Sequence, residues 1–565
     1  MVDTTSEQTQ VRDYPELSLL VIAPAGCGKT ETLALRVEGL LSRQDVKSPQ
    51  RILVTTFTNR ARDNMRDRLS RYLTPHQMRE AVTVCNFHGL SARIIQAHGN
   101  VVGVDPALWT MPQSDWVAQQ CRARNLKSLS ADVQSKISSV KRHGFSDEQV
   151  LAELERSGNE YAVGIERQRQ SERRLTYDDL PRLAELILAN DEVTRLYQRH
   201  FGAVIVDEFQ DLTPQQLRIV QRIGYGRTTY AGDMAQGIYS FAGARPELVM
   251  GQLQAECSKT IEFAESFRSS PAVLKAVNSL SDMTGGQTLT AANPGSWPSD
   301  GFAGCINFTD TEEEARYITQ FCAGILSQER APRQRIGISA RTKYRRRFVD
   351  QAIRNSGLQY SLWDEGVLDR SIAQKIRSML REITLDKFRN ADDPPEFVRQ
   401  AAHLDEEQDP DERTALSNAI DWCVDLLRDN VTPDEVEKRI QIGDTDSLIT
   451  QGGVHLLTGH AGKGQQFDWM IIVGLEEECL PNYHAVMAKS EVAIAEEART
   501  FAVMLSRARH GVLVTSSDVV PDNYNPKRRK QRSRFLTNAA PTMMTGRQEI
   551  HDWLAAADWQ AIAAK

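Results

Sequence analysis

Leu19-Leu-Val-Ile-Ala-Pro-Ala-Gly-Cys-Gly-Lys-Thr30 decides how this 565-residue chain is read. The apolar run Leu19–Ile22 reads as a short buried strand, and Leu33, Leu35, Val37, Leu40 and Leu41 recur at roughly helical spacing after the loop. Between them lie Ala23, Pro24, Ala25, Gly26, Cys27, Gly28, Lys29 and Thr30. Strand, glycine loop and helix form a phosphate cradle. The glycines let backbone amides approach phosphate oxygens, Lys29 places a charge on the outer phosphates, and Thr30 ligates magnesium. Ala23 stands where a glycine is usual. The loop implies ATP with Mg2+ as the cofactor pair, GTP being the alternative.

Outward from this loop, strand and helix alternate. Arg51–Phe57 leads into a helix over Thr58–Leu69, Ala81–Asn86 into one over Phe87–Ile95, and the sheet resumes at Phe201–Val206. That alternation predicts an α/β fold with parallel sheets. Asp207 and Glu208 follow the last of these strands, at the carboxyl end where open α/β sheets bind ligands. One acid there holds magnesium (Asp207) and the other activates water (Glu208). Without the phosphate loop, such a pair is as readily a solvated strand end.

A second α/β unit is expected from about Thr260, with a strand over Gln334–Arg341 and a helix over Phe348–Asn355, returning at Val454–Thr458 and Trp469–Val473. The expected organisation is a first sheet domain over 1–95 and 175–259 with a helical insertion at 96–174. A second domain covers 260–379 and 449–536, with a reduced insertion at 380–448 and a tail at 537–565 in which Glu549–Ala563 reads as one helix.

Composition is that of an ordinary globular protein, 41% hydrophobic and 25% charged. The net charge of −7 argues against indiscriminate wrapping of nucleic acid while leaving room for a local basic groove. Eight scattered cysteines contain no C-x-x-C pair and read as reduced thiols. No apolar run approaches the roughly 18 residues that span a bilayer, and the first residues lack a signal-peptide pattern, so the expected location is the cytoplasm, with no membrane partner.

Asp207-Glu-Phe-Gln-Asp211 and Gly232-Asp-Met-Ala-Gln-Gly-Ile-Tyr-Ser-Phe-Ala-Gly-Ala244 closely resemble successive motifs of the UvrD/PcrA/Rep-like superfamily 1A DNA helicases. The series continues in order through Thr56–Asn59, Asn86–Gly89, Leu175–Leu180, Ser266–Ser269, Leu457–Gly464 and Glu496–Ala508, so the resemblance spans nearly the whole chain. It implies two RecA-like lobes, hydrolysis of ATP between them, and 3′-to-5′ movement on single-stranded DNA in repair, recombination or protein displacement. By the same resemblance Gln236 senses the outer phosphate, and Arg268 and Arg507 reach across as arginine fingers. Phe57, Tyr239 and Phe241 are expected to stack on bases, where sequence preference is weak. Asn59, His88, Arg341, Thr458 and His460 are expected near the DNA backbone. Taken singly, an aromatic is more often a core residue and an arginine a surface ion pair.

Several positions depart from the family pattern. Phe241-Ala-Gly-Ala244 replaces Trp-Arg-Gly-Ala, and Glu31 replaces an arginine after the loop threonine. Gln466 replaces a glutamate at the ribose, and Phe267 stands where a tyrosine usually meets adenine. Gln8 and Gln10 are both candidates for an upstream glutamine that reads the adenine edge. The basic runs Lys343–Arg347 and Lys527–Arg534 read as phosphate-attracting faces or as ordinary solvated loops. The expected partners are single-stranded DNA and single-strand/duplex junctions. The small second insertion admits another reading, an ATPase subunit of a nucleic-acid defence or processing complex with a separate nuclease. A non-hydrolysing scaffold is a third, opposed by the complete set of Lys29, Asp207, Glu208, Gln236, Arg268 and Arg507.

Overall fold

The computed structural model describes residues 4–112, 116–126, 129–328, 333–363, 367–368, 370–407, 410–428, 430–442, 449–461, 463–522 and 525–565. The first sheet contains β1 (Leu19–Ile22), β2 (Arg51–Thr56), β3 (Val82–Asn86), β4 (Phe201–Asp207), β5 (Thr228–Gly232) and β6 (Thr260–Glu262), in the order β3-β2-β4-β5-β1-β6, all parallel. β1 and β4 are buried along their whole length, as strands covered by helices on both faces must be. One core lies on each face: Leu53, Val204, Val206 and Leu217 on one side, Leu33, Val37, Val54 and Ile205 on the other.

The second sheet contains β7 (Phe302–Asp310), β8 (Arg335–Ala340), β9 (Tyr360–Leu362), β10 (Gly453–Thr458), β11 (Phe467–Val473) and β12 (Ala508–Val519), ordered β9-β10-β8-β11-β12-β7 and again all parallel. Each sheet carries a helical insertion. The first, with helices Trp116–Ala123, Ser130–Lys141, Asp147–Arg156 and Glu160–Ser171, has a small core around Val133, Ile137, Val150 and Ile165, and the bridge Thr110–Arg174 closes its base. The second runs from the helix Arg370–Glu382 to the helix Pro433–Arg439 around Ile376, Val398, Ile420 and Val436.

Four of the expected boundaries move. Thr260–Glu262 pairs with β1, so the first sheet continues past residue 259. The helix starting at Phe87 runs to His98, beyond the last apolar residue that marks it in the sequence. The second insertion begins ten residues before 380, because Ile372, Ala373, Ile376 and Met379 join its core and not that of the sheet. Residues after 536 are no appendage: Ile550, Trp559 and Ile562 fill the second core beside Trp469, and Met544 pairs with Gly304 of β7. The single helix expected over Glu549–Ala563 is two, Arg547–Ala556 and Trp559–Ala564, the latter capped by Asp558.

All eight cysteines are free, six of them buried. Among the described residues no helix is long and apolar enough to cross a membrane.

Candidate functional site

The loop between β1 and the helix Lys29–Ser42 is shaped by glycine. Gly26 and Gly28 hold φ of +87° and +79°, a left-handed conformation that costs glycine nothing. A side chain at Gly26 would also collide: its Cβ would lie 2.6 Å from Cβ of Arg268 and from Oγ of Ser266. Ala23 needs no such freedom, since it still belongs to the extended chain and its N–H donates to the Gly232 carbonyl at 2.9 Å. The second half of the molecule is laced directly onto this loop, the Phe267 N–H donating to the Gly26 carbonyl at 2.9 Å.

Asp207 ends β4 and Glu208 follows with φ of +60°, which swings its carboxylate onto Lys29. Lys29 Nζ also stands 3.8 Å from Oδ1 of Asp207. Burial raises the Asp207 carboxyl to about 7 against the pull of Lys29. Burial acts the same way on Glu208 but is outweighed by Lys29 and Lys463, which hold its carboxyl at about 2. Gln210, wholly buried, uses both ends of its amide: Nε2 donates to Glu208 at 2.6 Å and Oε1 accepts the Asp233 N–H at 3.0 Å.

Cations from the other lobe face these acids. Arg507 donates to Oε1 of Gln236 at 3.3 Å, while Nε2 of Gln236 donates to Asp233 at 2.9 Å. Burial, then repulsion from Arg268, lowers the Arg507 guanidinium to about 9, and burial lowers that of Arg268 as well. Oδ1 of Asp207 and Nη1 of Arg268 are buried with no hydrogen-bond partner. An orphaned carboxylate oxygen and an orphaned guanidinium nitrogen in one crevice match what a metal–phosphate ligand brings, a cation for the first and anionic oxygens for the second. Lys29, Asp207, Glu208, Gln236, Arg268, Arg507 and the loop Ala23–Thr30 are therefore brought together; Thr30 lies in the first turn of the helix, beside Lys29.

The base-side residues are more loosely assembled. Gln8, buried, sets its amide nitrogen 2.9 Å from where a Cβ of Gly28 would be, whereas Gln10 is exposed. Phe267 is half exposed and Gln466 half-buried immediately before β11. Glu31 is turned away from the loop, paired with Arg68 and Tyr72.

Phe57 and Tyr239 stack on each other, centroids 5.3 Å apart and planes 17° from parallel. Phe241 lies in the turn Ser240–Ala242, its side chain outside the described residues. His88 is exposed, edge-on to Tyr177 at 5.6 Å. Thr458 ends β10. The remaining polar candidates are already engaged. Oδ1 of Asn59 accepts from Asn86 at 2.9 Å, and His460 bonds the Ile238 backbone, burial and Arg341 lowering its imidazole to about 4. Arg341 departs furthest from the expected phosphate contact: Glu497, a buried acid that needs a cation, takes its guanidinium in a fork at 2.9–3.0 Å. Four cations of the basic runs are engaged likewise. Arg345 binds Glu314 and Glu476 and Arg346 binds Asp350, each with a 2.7 Å contact; Arg528 and Arg534 pair with Asp522 and Glu477, also at 2.7 Å.

Sequence reasoning passed over Lys463, although it lies in the quoted run Leu457–Gly464. Its Nζ reaches from the second lobe to both carboxylate oxygens of Asp211 at 2.8 and 2.7 Å and to the Gln236 carbonyl at 2.8 Å, and it sits 4.4 Å above the Tyr239 ring. Arg499 donates to Glu247 at 2.6 Å across the same boundary, and Ser240 bonds Glu496. The segment that follows the acidic pair and the aromatic pair are thus joined through one lysine.

Two parallel six-stranded sheets, a phosphate loop on one and arginines from the other facing a shared crevice, define a tandem RecA-like P-loop protein. Comparison with known families narrows the class. Residues 4–255 match the UvrD/REP helicase N-terminal domain and residues 372–518 the UvrD-like helicase C-terminal domain. The ATP-dependent DNA helicase PcrA of Staphylococcus epidermidis is 22% identical across 91% of this chain and 83% of its own length. PcrA of Staphylococcus aureus is 22% identical across 90% and 82%. The chain belongs to the UvrD/REP helicase family.

Proposed function

We propose that this protein is an ATP-dependent DNA helicase or translocase that moves 3′-to-5′ on single-stranded DNA, in the cytoplasm, in repair, recombination or displacement of bound proteins. The convergence of Lys29, Asp207 and Glu208 from one lobe with Arg268 and Arg507 from the other carries this reading. Direction rests on the family resemblance, and DNA as substrate on that resemblance and the named relatives.

Lys29 and the amides of Gly26–Thr30 hold the triphosphate, Gln8 faces the base edge, and Thr30 and Asp207 supply oxygens for magnesium. Bound there, Mg2+ neutralises charge on the phosphate oxygens. As phosphate draws Lys29 off, Glu208 is freed to orient a water and take its proton. Gln236 fixes the position of the outer phosphate. Arg268 and Arg507 neutralise charge that develops as the bond breaks, and they do so only with the lobes closed. Alternating closure and release converts turnover into steps along the strand.

Hydrolysis strongly stimulated by single-stranded DNA, with displacement from 3′-tailed and not 5′-tailed duplexes, is the expected result; the opposite preference refutes the polarity. The compact second insertion supports a second reading, an ATPase subunit whose partner nuclease cuts. Copurification of a nuclease that restores robust unwinding distinguishes it.

A further inference from the structure

We propose that Arg142, at the end of a helix of the first insertion, is a single-strand phosphate contact; this rests on the DNA-motor reading above. Its guanidinium lies on the turn that carries Tyr239. A Cβ at Gly243 would stand 2.6 Å from Cζ of Arg142 and 2.7 Å from Nε, and Gly243 itself holds φ of +96°. The turn is tight, with Ala242 and Ala244 N–H groups donating to the Tyr239 carbonyl at 3.0 and 3.2 Å, so the guanidinium sits within one turn of the Phe57–Tyr239 stack. The turn's own residues, Phe241-Ala-Gly-Ala244, bring no cation.

Two further observations make Arg142 a prepared donor. Among the described residues no oxygen accepts from its side chain, although the residue is half-buried; a guanidinium has five donors that call for anionic oxygens. Its backbone is also pinned on both sides. The Arg142 carbonyl accepts from Arg218 at 3.1 Å, and its neighbour Lys141 is locked to Glu166 and Asp179 at 2.9 Å each. Along the same helix Ser138 donates to Asp178 at 2.6 Å, next to Tyr177 and His88. One helix thus borders both clusters proposed to meet the strand. Phosphate fits better than a base edge, because the stacked rings hold the bases and leave the backbone to a forked cation.

The test is binding of a fluorescent oligothymidylate to the full chain across a salt series. Arg142→Ala should weaken binding about ten-fold at low salt and lower the slope of log K against log salt by about 0.7, the loss of one phosphate contact on a single strand. Arg142→Lys should retain the slope, and Ala242→Arg added to Arg142→Ala should restore part of the affinity. Unchanged affinity and slope in Arg142→Ala overturns the inference, including when only its melting temperature falls. If the wild-type protein binds no oligothymidylate, the DNA-motor reading fails and the inference with it. If the wild type binds and Arg142→Ala binds equally, the inference alone fails.

Discussion

Two clusters of buried charge differ in how they are answered. Beneath the first insertion, Lys141, Arg169 and Arg182 meet Asp147, Glu166 and Asp179, and every one of these side chains has at least one partner within 3 Å. In the crevice between the lobes Asp207 and Arg268 keep orphaned atoms, and Lys29 rests on Glu208. The first cluster brings three carboxylates close enough to suggest a metal, but three cations already fill that role. Matched charge fixes geometry; unmatched charge at the carboxyl ends of strands marks where a ligand completes the count.

Neutralising one charge in either cluster separates the two roles. The largest effect is expected in the crevice: Lys29→Ala or Glu208→Gln should reduce turnover at least ~10³-fold, about 4 kcal/mol in barrier, with the protein still folded at the assay temperature. A steady-state assay beside a thermal melt checks both halves. Asp179→Asn should do the reverse, costing about 3–5 kcal/mol of stability in urea unfolding by leaving the buried cations Lys141, Arg169 and Arg182 one carboxylate short, while the folded fraction keeps its hydrolytic rate. Lys463→Ala should cost about 1–3 kcal/mol, seen as a loss of DNA stimulation larger than any loss of DNA-free hydrolysis.

A third buried polar group is held without any counter-charge in its hydrogen bonds. Trp363 donates to Nδ1 of His455 at 3.0 Å, so Nε2 carries the proton toward the Gln451 carbonyl at 2.8 Å. Burial lowers this imidazole to about 4. A histidine depressed on folding stabilises fully above its unfolded value, about 6.5, and the contribution is lost as pH falls from there toward 4. The His455→Gln protein should therefore lose about 1–2 kcal/mol less stability than wild type between pH 7 and 5. The smallest effect belongs to the basic loop: Arg534→Ala, which removes only an exposed pair with Glu477, should change stability by less than about 0.5 kcal/mol and leave DNA affinity intact.

The phosphate loop and both acids were legible because their chemistry is local: a strand, two glycines and a lysine within twelve residues, then two carboxylates at a strand end. Boundaries were less so, because an amphipathic helix such as Arg370–Glu382 reads the same whichever core receives Ile372 and Ile376. Partnerships across the fold left no local trace at all. Arg341 and Glu497 are 156 residues apart, and Lys463 and Asp211 are 252. Only the folded chain shows that the first arginine is spent and the lysine joins two lobes.

The ring-on-ring packing of Phe57 and Tyr239 has a mechanical corollary. A nucleobase sandwiched between two aromatic planes needs about 7 Å, two layers of carbon contact, whereas these centroids stand 5.3 Å apart. A base entering between them would have to part the rings, and its departure would let them close again. Because Lys463 rests on the Tyr239 face, any such dilation would be felt at the lobe boundary, and under the proposed DNA-motor reading the pair would act as a pawl whose tooth is a single nucleotide.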